Sequence, residues 1–293
     1  MIKNNLKKTK YDIKISKKKK ERNMTEIDGT IFLAKSVEAH AVKVMVELLH
    51  HTINIACFHI RPDGIYLRQM DPNQKLLIDV MLEASTFNLY HYNYKDEYIN
   101  IGINLNHLFK MLKSVKKRDS VEIFILKDAT NDLNIKIIPK DLTRITHSTL
   151  KIQNIESLEI DLPQRYTNNI LVNSLEFSKM CKDMLQISPN LKVKAQKYFI
   201  KFYSDIQSIY SREVILGTYV PGDDKEPYIY DEVFDAEFIS KILKISGLHT
   251  HLQLNFEKDM PFHLFCKIGS IGNMNLYLKS KKMLEEERYN TCT

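Results

Sequence analysis

Apolar positions along the chain switch between a spacing of three to four residues and strict alternation, and each switch marks a change from helix to strand. In Asn104 to Lys117, NLNHLFKMLKSVKK, the residues Leu105, Leu108, Phe109 and Leu112 recur at i, i+3, i+4 and i+7 and form one helix face. Asn106, Lys110, Lys113 and Lys117 share the opposite face, and Asn104 is placed to cap the first turn. The alternating stretch SVEIFILK, Ser120 to Lys127, predicts a half-buried strand after it. The same plan returns downstream. Asp235 is the N-cap, Phe238, Ile239, Ile242 and Leu243 form the apolar stripe, Lys241 and Lys244 lie opposite, Gly247 closes the helix and HLQLNF follows as a strand.

Two more helices are predicted. Ser36 would cap one whose stripe is Ala41, Val44, Met45 and Leu48, with His40, Lys43, Glu47 and His50 on the other side. Asn173 and Glu176, spaced like a capping box, open another with Phe177, Met180, Cys181 and Met184 inward and Lys179, Lys182 and Gln186 outward. Between the helices run short strands: INIACFHI, a Pro62-Asp63-Gly64 turn, GIYLRQMD, KLLIDVML, NLYHYN and YINIGI, then LNIKIIP. ILVNS, KVKAQ, YFIKFYS, REVILGTYV, FHLFCKI and MNLYLK follow in the second half. Strands so outnumber helices that a βαβ alternation is excluded, and an α+β fold with antiparallel sheets and helices on one face is expected. The plan is stated twice, with equivalent lysines about 130 residues apart, which reads as an internal duplication.

The expected organisation is a disordered basic tail over residues 1–28, a first domain over 29–150, a connector over 151–166, a second domain over 167–281 and a tail over 282–293. The run Lys17 to Lys20 with Arg22 reads as a nuclear-import signal, a DNA tether or a solubilising tail, and Met24 as an alternative start. The acidic VPGDDKEP, Val220 to Pro227, reads as a surface loop.

Charge and chemistry narrow the function. A formal charge of +7 fits a polyanionic partner or a solvated basic surface, and 44% hydrophobic residues support sizeable cores. Cys57, Cys181, Cys266 and Cys292 lack paired spacing and read as buried or free thiols of a reducing compartment. No apolar run approaches the roughly 18 residues of a membrane span and no signal-peptide core is visible, so an intracellular protein is expected. No phosphate-binding loop, dinucleotide fingerprint, zinc-protease motif or nucleophile elbow occurs. His50-His51 and His249-x-His251 have no cluster to complete a metal site, and Asp71 in QMDPNQ reads as a turn cap. No enzyme, metal or cofactor is expected. The lysine faces, one per helix, are the remaining signal. Lysine is a mobile point charge suited to phosphate rather than to base edges, so a shared face would hold a duplex without reading it.

On these residues the chain resembles the proliferating cell nuclear antigen family of DNA sliding clamps, over about residues 30–281. The phrases that carry the resemblance are INIACFHI, GIYLRQMD, INIGINLNHLFKMLK, the connector ending IDLP, LEFSKMCKDM and PFHLFCKIGSIGNMNLYL. The lysine-, asparagine- and isoleucine-heavy usage points to AT-rich coding, as in a divergent viral or protist member. The resemblance implies a duplicated sliding-clamp fold, three chains in a ring, helices lining the hole and sheets outside. It implies that Lys43, Lys110, Lys113, Lys179, Lys182, Lys241 and Lys244 face double-stranded DNA, with His50 and Gln186 in weaker positions. It further implies an apolar pocket for PIP-box-like peptides of DNA polymerase and other replication and repair proteins, made of Met70, Leu77, Ile160, Leu162, Pro261 and Tyr277. Lys75 and Lys279 stand where small or apolar residues are usual, so a basic rim preferring acidic partners is expected. Lys197 aligns with a lysine that receives ubiquitin, though the local Asp-Gly turn is missing. The homotrimer would pair an edge strand near Ile145 to Ile152 with one near Arg212 to Val220 of a neighbour, flanked by helices around Ser114 and Leu185. A clamp loader is among the implied partners, and the nucleus or a viral replication site is the implied location. The alternative is a non-ring processivity factor that grips DNA as a monomer or dimer through its basic tail.

Overall fold

Alternating apolar residues give each half of the chain two sheet faces that need covering, and the helices cover them. The computed structural model describes residues 27–155, 159–207, 209–220, 222 and 227–291. The first half runs β1 (Thr30–Ser36), α1 (Ala39–His50), β2 (Ile55–Arg61), β3 (Gly64–Met70), β4 (Leu76–Glu83), β5 (Leu89–Tyr92), β6 (Ile99–Asn104), α2 (Leu105–Leu112), β7 (Ser120–Leu126), β8 (Ala129–Ile138) and β9 (Thr146–Lys151). The second runs β10 (Asn168–Asn173), α3 (Ser174–Leu185), β11 (Asn190–Ala195), β12 (Phe199–Ile206), β13 (Tyr210–Gly217), β14 (Tyr230–Asp235), α4 (Ala236–Lys241), a 3-10 turn (Leu243–Gly247), β15 (His251–Phe256), β16 (Phe262–Ile268), β17 (Gly272–Leu278) and α5 (Lys281–Thr291).

The duplication is visible in the sheets. Strand order β4-β3-β2-β6 in the first half matches β13-β12-β11-β14 in the second, and β1-β7-β8-β9 matches β10-β15-β16-β17. All pairings are antiparallel. The halves meet where β17 pairs β4, with Leu276 opposite Ile78 and Leu278 opposite Leu76, which fuses two four-stranded units into one eight-stranded sheet. At this seam Gly272 lies opposite Leu82. A Cβ there would sit 2.0 Å from the Met81 carbonyl oxygen, so only glycine permits the approach.

The helix stripes are buried as their spacing requires. Leu105, Leu108 and Leu112 of α2 and Phe177, Met180, Cys181 and Met184 of α3 enter the core, and Phe177 meets Phe202 edge-on at 5.9 Å. Each such leucine, phenylalanine or methionine contributes about 1.5–3 kcal/mol on burial. α1 packs against α2 and against the 3-10 turn, while α3 packs against α4 and the same turn, so the four helices form one layer.

Several expectations change. α2 stops at Leu112 instead of reaching Lys117. Its last bonds tighten to i−3, Val115 N to Leu112 O at 3.0 Å, and the Asp119 carboxylate accepts from Lys116 N at 2.9 Å, which turns the chain away. Ser36 ends β1 and accepts from Glu38 N, while α1 begins at Ala39 without a side-chain cap. Glu176 does not reach back as a capping box but pairs with Lys179 at 2.7 Å. The downstream helix breaks at Ile242 into α4 and the 3-10 turn. The β2–β3 turn is Pro62-Asp63 alone, since Gly64 pairs with Arg61 as a strand residue. β14 has no counterpart among the predicted strands. The tail expected over residues 1–28 lies outside the described residues up to residue 26, and the segment expected as a tail after residue 281 forms α5.

Candidate nucleic-acid interface and partner pocket

The four helices present their polar faces on one side of the layer, and Asn104, Asn173 and Asp235 fix where three of them start. Their side-chain oxygens accept from His107 N, from Leu175 N and Glu176 N, and from Glu237 N. Lys110, Lys113, Lys179, Lys182 and Lys244 are exposed on these faces, and Lys43 and Lys241 are half-buried. Their engagements differ. Lys179 pairs with Glu176, Lys241 with Glu237 at 3.5 Å and Lys244 with Glu47 of α1 at 3.2 Å, across the junction of the halves. The Lys43 ammonium donates to the main-chain oxygens of Lys113 and Val115. Lys110, Lys113 and Lys182 have no ion pair among the described residues. His50 stacks on Phe109 at 5.1 Å, and burial with the His51 charge holds its imidazole below the usual value. His40 is held down by burial and by Lys43 and Lys117.

The outer face of the eight-stranded sheet carries the other group. Met70, Leu77 and Tyr277 occupy one cross-strand row, and Leu77 and Tyr277 are buried. The row continues through His263, whose ring stacks on Tyr277 with centroids 4.3 Å apart. The connector is held over this face at two places: Arg68 Nη1 donates to Ile160 O at 3.1 Å, and Tyr166 Oη donates to Pro261 O at 2.7 Å. Leu162, half-buried like Ile160, lies between the fastenings in sequence. The structure therefore brings Met70, Leu77 and Tyr277 into one row and pins Ile160 and Pro261 at the two fastenings.

The expectation of a basic rim is corrected. Lys75 pairs with Asp235 at 3.4 Å and Lys279 with Glu287 of α5 at 2.6 Å, so both cations are met by acids of the same chain. Asp71 is the turn cap expected, accepting from Lys75 N and Leu76 N at 2.7 Å each. Lys197 lies over the Tyr198 ring at 5.3 Å in the turn between β11 and β12.

A polar chain escapes the sequence pattern altogether. Gln253 donates to Asn255, Asn255 meets His263 Nδ1 at 3.0 Å, His263 Nε2 meets Asn275 Oδ1 at 3.0 Å, Asn275 donates to Asp79, and Asp79 accepts from Arg68. With Asn255 donating to Nδ1, the network assigns His263 as neutral with its proton on Nε2. Burial lowers its pKa, opposed by the Asn275 bond and the Asp79 charge. These residues run across five strands to the connector through Arg68. Alternation placed each on the polar face of its strand, but only register joins them.

Comparison with known proteins follows the same division into halves. The model of the proliferating cell nuclear antigen N-terminal domain matches residues 31–161, and that of its C-terminal domain matches residues 161–282. A protein named probable DNA polymerase sliding clamp 1, from Paramecium bursaria Chlorella virus 1, is 22% identical over 260 residues, covering 86% of this chain and 97% of that protein. The proliferating cell nuclear antigen of Chaetomium thermophilum is 25% identical over 258 residues, covering 85% and 97%.

Proposed function

The chain belongs to the proliferating cell nuclear antigen family, and we propose that it works as a DNA sliding clamp, a processivity factor that closes as three chains around duplex DNA. One observation carries the ring. By the duplication, β9 corresponds to β17 and β13 to β4; β17 and β4 pair within the chain, whereas β9 and β13 are edge strands of their sheets. Pairing β9 with β13 of a neighbouring copy repeats the internal seam between chains and closes both edges. Apolar side chains beside these edges favour it: Leu142 and Ile145 ahead of β9, and Ile209 and Tyr210 at the start of β13, are exposed in the single chain. A clamp that never closed would leave both edges open.

In such a ring the helix layer faces the hole. Lys110, Lys113 and Lys182 meet phosphates directly, Lys179, Lys241 and Lys244 do so in exchange for their glutamates, and Lys43 braces the end of α2. The duplex carries one charge per about 1.7 Å, and a lysine surface that reads no base holds it while permitting translation. The role is tethering, with no chemical step of its own. The row of Met70, Leu77 and Tyr277, with Ile160, Leu162 and Pro261, receives the apolar anchors of PIP-box-like peptides from polymerase and other replication proteins. Opening the ring falls to a clamp loader, at the nucleus or a viral replication site.

Sedimentation equilibrium tests the assembly. A mass near three times the 34.4 kDa of one chain is expected, and a strictly monomeric protein at high concentration contradicts it.

A further inference from the structure

Beyond the end of α2, two loops face one another across a cleft of about 880 Å³. One is the turn Lys116-Lys117-Arg118 that leads into β7; the other is the segment from Pro139 to Arg144 between β8 and β9. Lys116, Lys117, Arg118, Lys140 and Arg144 line the cleft and all are exposed. None has an ion pair among the described residues, although lysines nearby on the sheets do, as Lys136 with Glu122 and Lys151 with Asp132.

Two carboxylates share the cleft, and both are turned to the backbone. Asp119 is buried and accepts from Lys116 N. Asp141 accepts from Thr143 Oγ1 at 2.8 Å and Thr143 N at 3.2 Å, bonds that hold its carboxyl below the usual range. The cleft thus keeps five cations against two anions that are already engaged. Like charges gathered around one cleft repel, and an anionic ligand relieves the arrangement.

We propose that this cleft is a phosphate-binding site for the backbone of duplex nucleic acid, additional to the helix faces. It rests on the reading that duplex passes beside the four helices. The cleft adjoins that surface: Ser114 lines it, between the Lys113 and Val115 carbonyls that Lys43 holds. The Lys117 charge is felt at His40 on α1. No aromatic side chain lines the cleft, so it lacks the stacking platforms that hold unstacked single strands, and its donors suit a phosphodiester track instead.

The test uses the full chain and the variant Lys117→Ala/Arg118→Ala/Lys140→Ala/Arg144→Ala, all exposed positions. Anisotropy of a labelled 20-base-pair duplex is followed from 50 to 200 mM salt, beside calorimetry with inorganic tripolyphosphate and a measurement of mass. The site predicts that the slope of log affinity against log salt falls by about 0.9 for each lost phosphate contact, roughly 2–4 in all, equally for unrelated sequences. It also predicts tripolyphosphate binding to the natural chain and not to the variant, with mass unchanged. An unchanged salt slope overturns the proposal, as does tighter binding of a single strand than of the duplex. Loss of assembled mass in the variant overturns it too, by making the cleft a contact between copies. Because tripolyphosphate needs no ring, absence of its binding rejects the cleft whether or not the chain encircles DNA. A monomeric mass together with retained tripolyphosphate binding rejects the ring and keeps the anion site.

Discussion

The Lys43 ammonium on α1 donates to the Lys113 carbonyl oxygen at 2.8 Å and to the Val115 oxygen at 3.0 Å. A cation thereby closes the C-terminal end of α2, where unpaired carbonyls and the helix dipole favour positive charge. The sequence face that groups Lys43 with the lysines proposed to face DNA hides this bracing role. Lys43→Met is expected to lower stability by about 1.5–3 kcal/mol in urea unfolding, the range of a hydrogen bond to a charged group. Lys110→Ala, on the same layer but unbonded, should stay within about 0.5 kcal/mol.

DNA retention should divide the lysines by their partners. Lys113→Ala and Lys182→Ala should each reduce the salt slope of duplex binding by about 0.9. Lys179→Ala should cost less, because Glu176 competes for its ammonium, and Glu176→Gln should tighten binding. Equal losses at all three lysines, read by anisotropy across a salt series, would show that these ion pairs do not matter.

The seam between the halves should be intolerant at Gly272. Ala there places a methyl 2.0 Å from Met81 O and 2.9 Å from Leu82 Cα, both backbone, so β17 must move off β4. Thermal unfolding of Gly272→Ala should show a loss of about 1–3 kcal/mol, the usual cost of overpacking, or more if the strands separate. Amide exchange should accelerate first in β4 and β17.

Acid should weaken the chain through His263. Its folded pKa lies below the ordinary 6.5, so the unfolded chain takes up the proton first. The stability it contributes is complete above about pH 6.5 and is lost as pH falls from there toward the folded value. Protonation would also oppose the Asn255 amide that faces Nδ1. Between about pH 6.5 and 5, His263→Gln should show a shallower decline in unfolding free energy than the natural chain, by up to about 1.4 kcal/mol per pH unit. Identical slopes would remove His263 from the acid response.

The sequence carried the helix faces, the caps at Asn104, Asn173 and Asp235, and the duplication, because these are written in local spacing. It did not carry what depends on register or on loops meeting. The chain from Gln253 to Arg68 links residues of five strands, and the cleft joins Lys117 to Lys140 across two turns. The early end of α2 was hidden because Val115 continues an apolar pattern that the Asp119 turn interrupts. β14, YDEVFD, is masked by its acids, of which Asp231 is exposed and pairs with Lys192 and Lys194 on β11. The pairing of these two lysines is invisible in the sequence because Asp235 is far along the chain from Lys75 and Glu287 meets Lys279 only through α5.

Encirclement is tested most directly by the rate at which protein captured on a nicked circular duplex leaves before and after one restriction cut. The ring predicts long retention on the circle and rapid loss from the ends once the circle is opened, at an ionic strength where simple electrostatic binding is weak. Equal release rates from circle and line would contradict it.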